Sequence, residues 1–384
     1  MAEIPANSPK VDQWLKLIHA DGVGPVLFAR LLKRFGSAAA ALGTSASQLA
    51  KVDGVGYKTA ERIAATREQF DAERELALAR KAGVWLVHLK DQRYPRLLGR
   101  INDRRRVVCV KGTLDRGDAL AISIVGSRRC SLYGTEQASR LAHFLGAAGF
   151  TICSGMARGI DTAAHEGALA AGARTIAVQG CGLARVFPPE NRKLFGMIAG
   201  QGACLSELPM ETDPRAENFP PRNRIVAGLS LGTIVLDAPP RSGALITAKA
   251  ALDYNREVMA VPGKVDSPAS RGPHLLIKQG ARLVEGVEDV MEALGYVGEQ
   301  LQEHAQAKAT EAEQAVDGTL FDSRRPLVEG DERTIHETLT KEPAHIDEII
   351  ARTGLGAGTV NSTLISLRLK GLIRQFPGNS FARR

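Results

Sequence analysis

Histidine, cysteine and aromatic side chains are all scarce in this chain, at eight residues, five residues and 5% of 384. The cysteines, Cys109, Cys130, Cys153, Cys181 and Cys204, lack CxxC spacing and have no histidine cluster beside them, which argues against zinc and dithiol redox sites. All but Cys130 lie in or beside apolar segments and read as structural thiols, so no metal and no cofactor is expected. No HExxH pair exists: His165-Glu166 is followed by Leu169 where a zincin needs histidine, and His165 reads as packing on its helix. No apolar run is long enough to span a bilayer, and the opening MAEIPANSPK has no signal-like stretch, so a cytoplasmic, membrane-free protein is expected. The GxGxxG fingerprint of dinucleotide enzymes is missing too, replaced after Val125 by Gly-Ser-Arg-Arg. Lys58 does not complete a Walker motif, because Tyr57 separates it from Gly56.

What is present is basic and glycine-rich. Fifty Lys and Arg stand against 42 Asp and Glu, for a formal net charge of +8, which favours polyanionic partners. Residues 1–80 carry an internal repeat, DGVGPVLFARLLKRFG from Asp21 and DGVGYKTAERIAA from Asp53. Each copy sets Gly-Val-Gly before a basic helix, resembling helix-hairpin-helix units that hold nucleic-acid phosphate, although glycines serving tight packing of a small helical domain would give the same pattern. Over residues 84–296, short Val/Ile-rich runs alternate with Ala-rich helical stretches, the signature of βα units. The expected strands are Val107–Val110, Ala121–Val125, Phe150–Cys153, Thr175–Val178, Ala203–Ser206, Thr233–Leu236, Glu257–Val261 and Ala281–Val284, read as buried and parallel. Helices are expected over Gly134–Ala148, Thr162–Ala171, Ile225–Leu229, Ala244–Asn255 and Val287–Leu294. The fold class is α/β: a Rossmann-like parallel sheet core with a helical N-terminal domain and a C-terminal winged-helix domain.

Residues 297–329 are polar and read as a linker. Across 330–384, helical patterns at Glu332–Leu339, His345–Thr353 and Gly358–Leu369 and a tail suited to a β-hairpin predict the winged helix. No acidic residue follows Glu348, while Arg352, Arg368, Lys370, Arg374, Arg383 and Arg384 do, so the domain fits either DNA binding or protein docking.

Three loops at expected strand-to-helix junctions should converge at the carboxyl ends of the strands and hold phosphate. They are IVGSRRCSLYG (Ile124–Gly134), SGMARGID (Ser154–Asp161) and PPRSGALITA (Pro239–Ala248), with NFPPRNRIVAGLS (Asn218–Ser230) among them. Glycine permits close backbone approach, Ser127 and Ser242 offer hydroxyls, and Arg128, Arg222 and Arg224 offer forked hydrogen bonds, with Lys264 on the same rim. The same arginines have a second reading, as surface residues pairing with nearby acids such as Glu217 or as structural braces between loops. Tyr133, Phe187 and Phe219 are candidate base-stacking platforms, with core packing favoured for Phe187. Asp161 in the first helical turn reads as a backbone cap. No catalytic centre stands out, so the expectation is a binding protein that is not an enzyme.

These motifs, together with FPPEN (Phe187–Asn191) and SELP (Ser206–Pro209), resemble those of the DNA-processing protein A family (DprA, also called Smf) of bacterial competence proteins. The resemblance implies a sterile-alpha-motif-like or helix-hairpin-helix N-terminus, an extended Rossmann domain binding single-stranded DNA, and a winged helix. It further implies that the protein shields incoming single-stranded DNA during natural transformation and loads the RecA recombinase onto it in the presence of single-strand-binding protein. Self-association through the Rossmann domain is implied as well. Matched motif by motif, it places Gly126, Ser127 and Arg128 in the first phosphate loop and Ser154 and Gly155 in the second. Arg222, Asn223 and Arg224 fall in the basic segment, and Ser242 and Gly243 in the last loop. Phe187 stands where many members are expected to carry Tyr. Two rivals remain: a nucleotide-sensing helix-turn-helix regulator, and a nucleoside-monophosphate phosphoribohydrolase. The latter's PGGxGTxxE is PPRSGALIT here, with Thr247 at the catalytic Glu.

Overall fold

The strands of the central domain are apolar at nearly every position because both faces of their sheet are covered by helices. The computed structural model describes residues 5–103, 106–295, 330–340, 342–369, 372–376 and 379–383. The linker expected over 297–329 lies outside the described residues, as do Lys370 and Arg384.

The N-terminal region is helical: α1 (Val11–His19), α2 (Pro25–Phe35), α3 (Ala38–Gly43), α4 (Ala46–Leu49), α5 (Tyr57–Thr66) and α6 (Ala72–Lys81). The two repeats place Gly24 and Gly56 as N-caps of α2 and α5. Arg30 ties the copies together, donating to the Asp53 carbonyl at 2.8 Å. The helices bury Trp14, Phe28, Leu31 and Leu49 against β1 (Val84–His88) and β2 (Val107–Gly112).

The chain then runs β3 (Ala121–Gly126), α7 (Leu132–Ala147), β4 (Thr151–Ser154), α8 (Ile160–Ala170), β5 (Thr175–Val178), α9 (Arg192–Gln201) and β6 (Ala203–Ser206). It continues through α10 (Phe219–Gly228), β7 (Gly232–Leu236), α11 (Gly243–Asp253), β8 (Glu257–Ala260), α12 (Arg271–Lys278), β9 (Arg282–Leu283) and α13 (Val287–Leu294). The nine strands form one sheet in the order β1-β2-β6-β5-β4-β3-β7-β8-β9. From β6 to β9 every pairing is parallel. Alternation sorts β3 cleanly: Ile122 and Ile124 face the layer containing α7, α8 and α13, while Ala121 and Val125 face that of α10, α11 and α12.

Three sequence expectations need correction. The strand at Val107 is antiparallel to both neighbours, β1 and β6, instead of parallel. A parallel pair needs a connection that crosses over the sheet, usually as a helix, and among the described residues the link from β1 to β2 holds only the 3₁₀ turn Leu98–Arg100, so the chain returns antiparallel. Helix α10 starts at Phe219, six residues before the expected Ile225. Prolines at its start do not interrupt it, because first-turn N–H groups have no intrahelical partner to lose. Strand β1 and helices α9 and α12 were not expected; the glycines and proline in FGMIAGQ and RGPHLLIK weaken the helical signal in the last two.

The C-terminal region holds α14 (Asp331–Thr338), α15 (Ile346–Thr353) and α16 (Ala357–Leu369), with β10 (Ala344–His345), β11 (Ile373–Phe376) and β12 (Ser380–Arg383). Its strands pair in the order β10-β12-β11 around a core of Ile335, Ile349, Leu364 and Phe381. Three helices and a wing hairpin make a winged helix.

Candidate nucleic-acid interface

After β6 the chain crosses back to β7 on the other side of β3, so the sheet order reverses there, and the carboxyl ends of β3, β4 and β7 open into a crevice. The crevice is a cleft of about 500 Å³ lined by Gly126, Ser127, Arg128, Arg129, Gly155, Asp161, Arg222, Asn223, Ser242, Gly243 and Thr247, among others. The three glycine-rich loops thus converge as their sequence positions imply. Ser127 bonds the Arg129 N–H at 3.0 Å, and Ser242 caps α11 by accepting from the Ala244 N–H at 3.2 Å. Asn223 donates to the Gly243 carbonyl at 3.1 Å, joining α10 to the last loop.

Close backbone approach explains the glycines. At Gly155 an added Cβ would collide with the Arg222 guanidinium, and at Gly159, where φ is +76°, with the Ser127 carbonyl. Asp237, just after β7, went unnoticed in the sequence yet holds the first loop: its carboxylate accepts from the Ser131 N–H and hydroxyl, both at 2.7 Å. The nearest signal was an aspartate standing at the end of a strand facing a Ser-capped helix.

The arginines part company. Arg128 is exposed, lies 5.1 Å over the Phe219 ring and forms no ion pair among the described residues; Arg129 beside it is also exposed. Arg222 is buried and donates to the carbonyls of Gly155 and Val178, so it braces the cleft floor. Burial pulls its pKa down to about 10, with Asp161 opposing the fall and Arg128 adding to it. Arg224 does not reach the cleft. It pairs with Glu207, whose carboxylate is shielded from solvent, and donates to the Asp103 carbonyl at 2.9 Å, while Tyr254 donates to the Asp103 carboxylate at 2.6 Å. Both Arg222 and Arg224 thus brace loops, Arg222 while also lining the cleft and Arg224 from outside it. Ser154 is also absent from the lining, buried with its hydroxyl on the Ile124 carbonyl at 2.7 Å. Lys264 is exposed on the loop after β8, outside the cleft lining.

Phe187 and Phe219 form a tilted pair with centroids 5.5 Å apart, and Arg158 stands 6.0 Å over Phe187. Phe187 is half-buried at this rim and not a core residue. Tyr133 is turned to another loop, its hydroxyl donating to Pro262 at 3.2 Å. Asp161 accepts the Ala157 N–H at 3.2 Å, as a loop cap should, and burial raises its pKa against the opposing Arg222. His165 packs between α8 and β5, bonded to Thr175 at 2.7 Å, and burial, with Arg222 adding, lowers its pKa to about 3. Cys109, Cys153, Cys181 and Cys204 are buried thiols; burial raises Cys153 to about 12 and Cys181 to about 11.

A doubly wound, mostly parallel sheet with glycine-rich loops and free guanidinium groups at its switch point defines an α/β protein of the phosphate-binding type, here flanked by helical and winged-helix regions. Residues 85–295 match the family model of DNA recombination-mediator protein A, residues 10–73 that of a DprA-like N-terminal HHH domain, and residues 307–379 that of the DprA winged helix domain. The chain belongs to the DprA family. It is 35% identical to Protein Smf of Synechocystis over 99% of this chain and 100% of that protein. It is 41% identical to the DNA processing protein DprA of Streptococcus pneumoniae over 52% of this chain and 71% of that one. The X-ray structure of DprA from Streptococcus pneumoniae superposes with a TM-score of 0.66 at 32% identity, covering 73% of this chain and 97% of that chain. Among the described residues no helix is long and apolar enough to cross a membrane.

Proposed function

We propose that the cleft binds single-stranded DNA, and that the protein shields the strand and loads RecA recombinase onto it, in the presence of single-strand-binding protein, during natural transformation and homologous recombination. The observation that carries this reading is Arg128: an exposed guanidinium with no acidic partner among the described residues, held over an aromatic ring at the mouth of a cleft rimmed by glycine-rich backbone. Phosphate takes the guanidinium and backbone donors, and an unstacked base takes the Phe219 face. Such contacts read backbone and ring, so sequence preference is expected to be slight.

Binding without turnover is part of the proposal. Asp161 is the acidic residue lining the cleft and is occupied as a loop cap, while Thr247 is buried with its hydroxyl 3.4 Å from the Gly243 carbonyl. Self-association through the sheet domain is supported by the edge strand β9, beside which Leu275 and Leu283 are 46% and 41% exposed. Two joined clefts on one particle raise avidity for a long strand. The proposed setting is the cytoplasm.

A competition series decides among the readings. Labelled oligo-dT is displaced by unlabelled single strand, duplex or nucleoside monophosphate, with free base assayed in parallel. Single strand is expected to win and no base to be released. A preferred duplex sequence would favour the regulator reading, and released base the hydrolase.

A further inference from the structure

In a helix-turn-helix the second helix enters the major groove, and here that helix is α16. One stripe of α16, Val360, Leu364 and Leu367, is buried in the winged-helix core. An adjacent stripe recurs at helical spacing, Gly358, Asn361, Ile365 and Arg368, and it meets the sheet domain. Ile365 is 8% exposed and packs with the apolar cluster of α7 and α13. Arg368 donates to the Met291 sulfur at 3.3 Å, and its burial lowers its pKa against the nearby Glu288. A Cβ at Gly358 would lie 3.5 Å from the Phe144 ring of α7. Glu288 and Met291 of α13 line a narrow crevice together with Asn361, Ile365 and Arg368.

Water still reaches Gly358 and Asn361, but a duplex must close a groove about 12 Å wide around the helix. Phe144 and Met291 occupy that space. Meanwhile the wing keeps phosphate-binding capacity, because Arg374 of β11 and Arg383 of β12 are exposed. We propose that the stripe Gly358, Asn361, Ile365 and Arg368 is an intramolecular docking surface for α7 and α13, and that this contact withholds the winged helix from duplex DNA. The winged helix is thus a masked duplex binder, opened by whatever displaces it from the sheet domain.

The test uses the full chain with Met291→Ala, which removes the sulfur that Arg368 donates to and the apolar cover over Ile365, and with Phe144→Ala as a second opening variant should the first fail a circular-dichroism melt. Hydrogen exchange reports the contact, and anisotropy with a labelled duplex reports binding. Faster exchange across α13 and α16 is expected, together with about a tenfold gain in duplex affinity, the factor by which a one-tenth competent population depresses apparent affinity. Adding Asn361→Glu on the freed face should abolish the gain. Opening without a duplex gain, a gain that survives Asn361→Glu, or no change in exchange in either folded variant overturns the proposal. None of these outcomes depends on the cleft, whose single-strand affinity is read separately.

Discussion

Replacing Arg128 with alanine removes a guanidinium that is exposed, stands 5.1 Å over Phe219 and has no ion-pair partner among the described residues. Little folding stability rests on it, so the unfolding midpoint should move by no more than about 0.5 kcal/mol in equivalent free energy. Binding should change much more. A hydrogen bond to a charged group contributes about 1.5–3 kcal/mol, which corresponds to about 10- to 100-fold in affinity for oligo-dT. Each phosphate neutralised on a single strand adds about 0.7 to the magnitude of the slope of log K against log salt. Arg128→Ala should therefore lower that magnitude by about 0.7. Arg128→Lys keeps the charge but loses the fork and the ring stack, so it should preserve the slope while losing part of the affinity. Fluorescence anisotropy across a salt series reads both quantities. A wild-type slope and affinity in Arg128→Ala would remove the cleft mouth from the binding surface.

Arg224→Ala should behave in the opposite way: removing one charge-assisted contact from Glu207, whose side chain is 4% exposed, should cost about 1.5–3 kcal/mol in urea unfolding while the salt slope stays at the wild-type value. A lowered slope in a folded Arg224→Ala protein would return this residue to the DNA contact. Gly159→Ala should displace the Ser127 carbonyl and strain a backbone at φ +76°, costing about 1–3 kcal/mol and weakening oligo-dT binding without removing any charge. Wild-type affinity in that variant would show that the loop's position is immaterial. For His165, burial lowers the folded pKa to about 3, below the unfolded value of about 6.5. The unfolded chain thus takes up a proton that the folded one refuses, so this contribution is full above pH about 6.5 and drains toward pH about 3, at up to about 1.4 kcal/mol per unit. His165→Asn should shrink the stability difference between pH 7 and pH 5 by about 2 kcal/mol, and an unchanged difference would refute the assignment.

Much of the fold was legible because its signals are local. Eight strand segments showed as short apolar runs, and the loops that line the cleft follow such runs directly, which put them at strand ends; their convergence also required β4, β3 and β7 to be neighbours in the sheet. Strand β1 escaped although VWLVH is as apolar as its neighbours, because it follows directly on helix α6 and its strand partner, β2, begins 19 residues after it ends. Asp237 escaped because its role depends on Ser131, more than a hundred residues away in sequence.

The amino-acid order by itself settled that glycine-rich turns would stand at the strand ends, because such turns depend on a few adjacent residues and their permitted dihedral angles. It could not settle which arginines would face a ligand. Arg222 and Arg224 lie two residues apart in one helix, and positions so spaced point away from each other. One turned into the floor and the other toward Glu207, leaving Arg128 at the mouth. That division required the packing of α10 against β5 and the Asp103 loop, contacts between segments remote in the chain, which only the folded structure brings together.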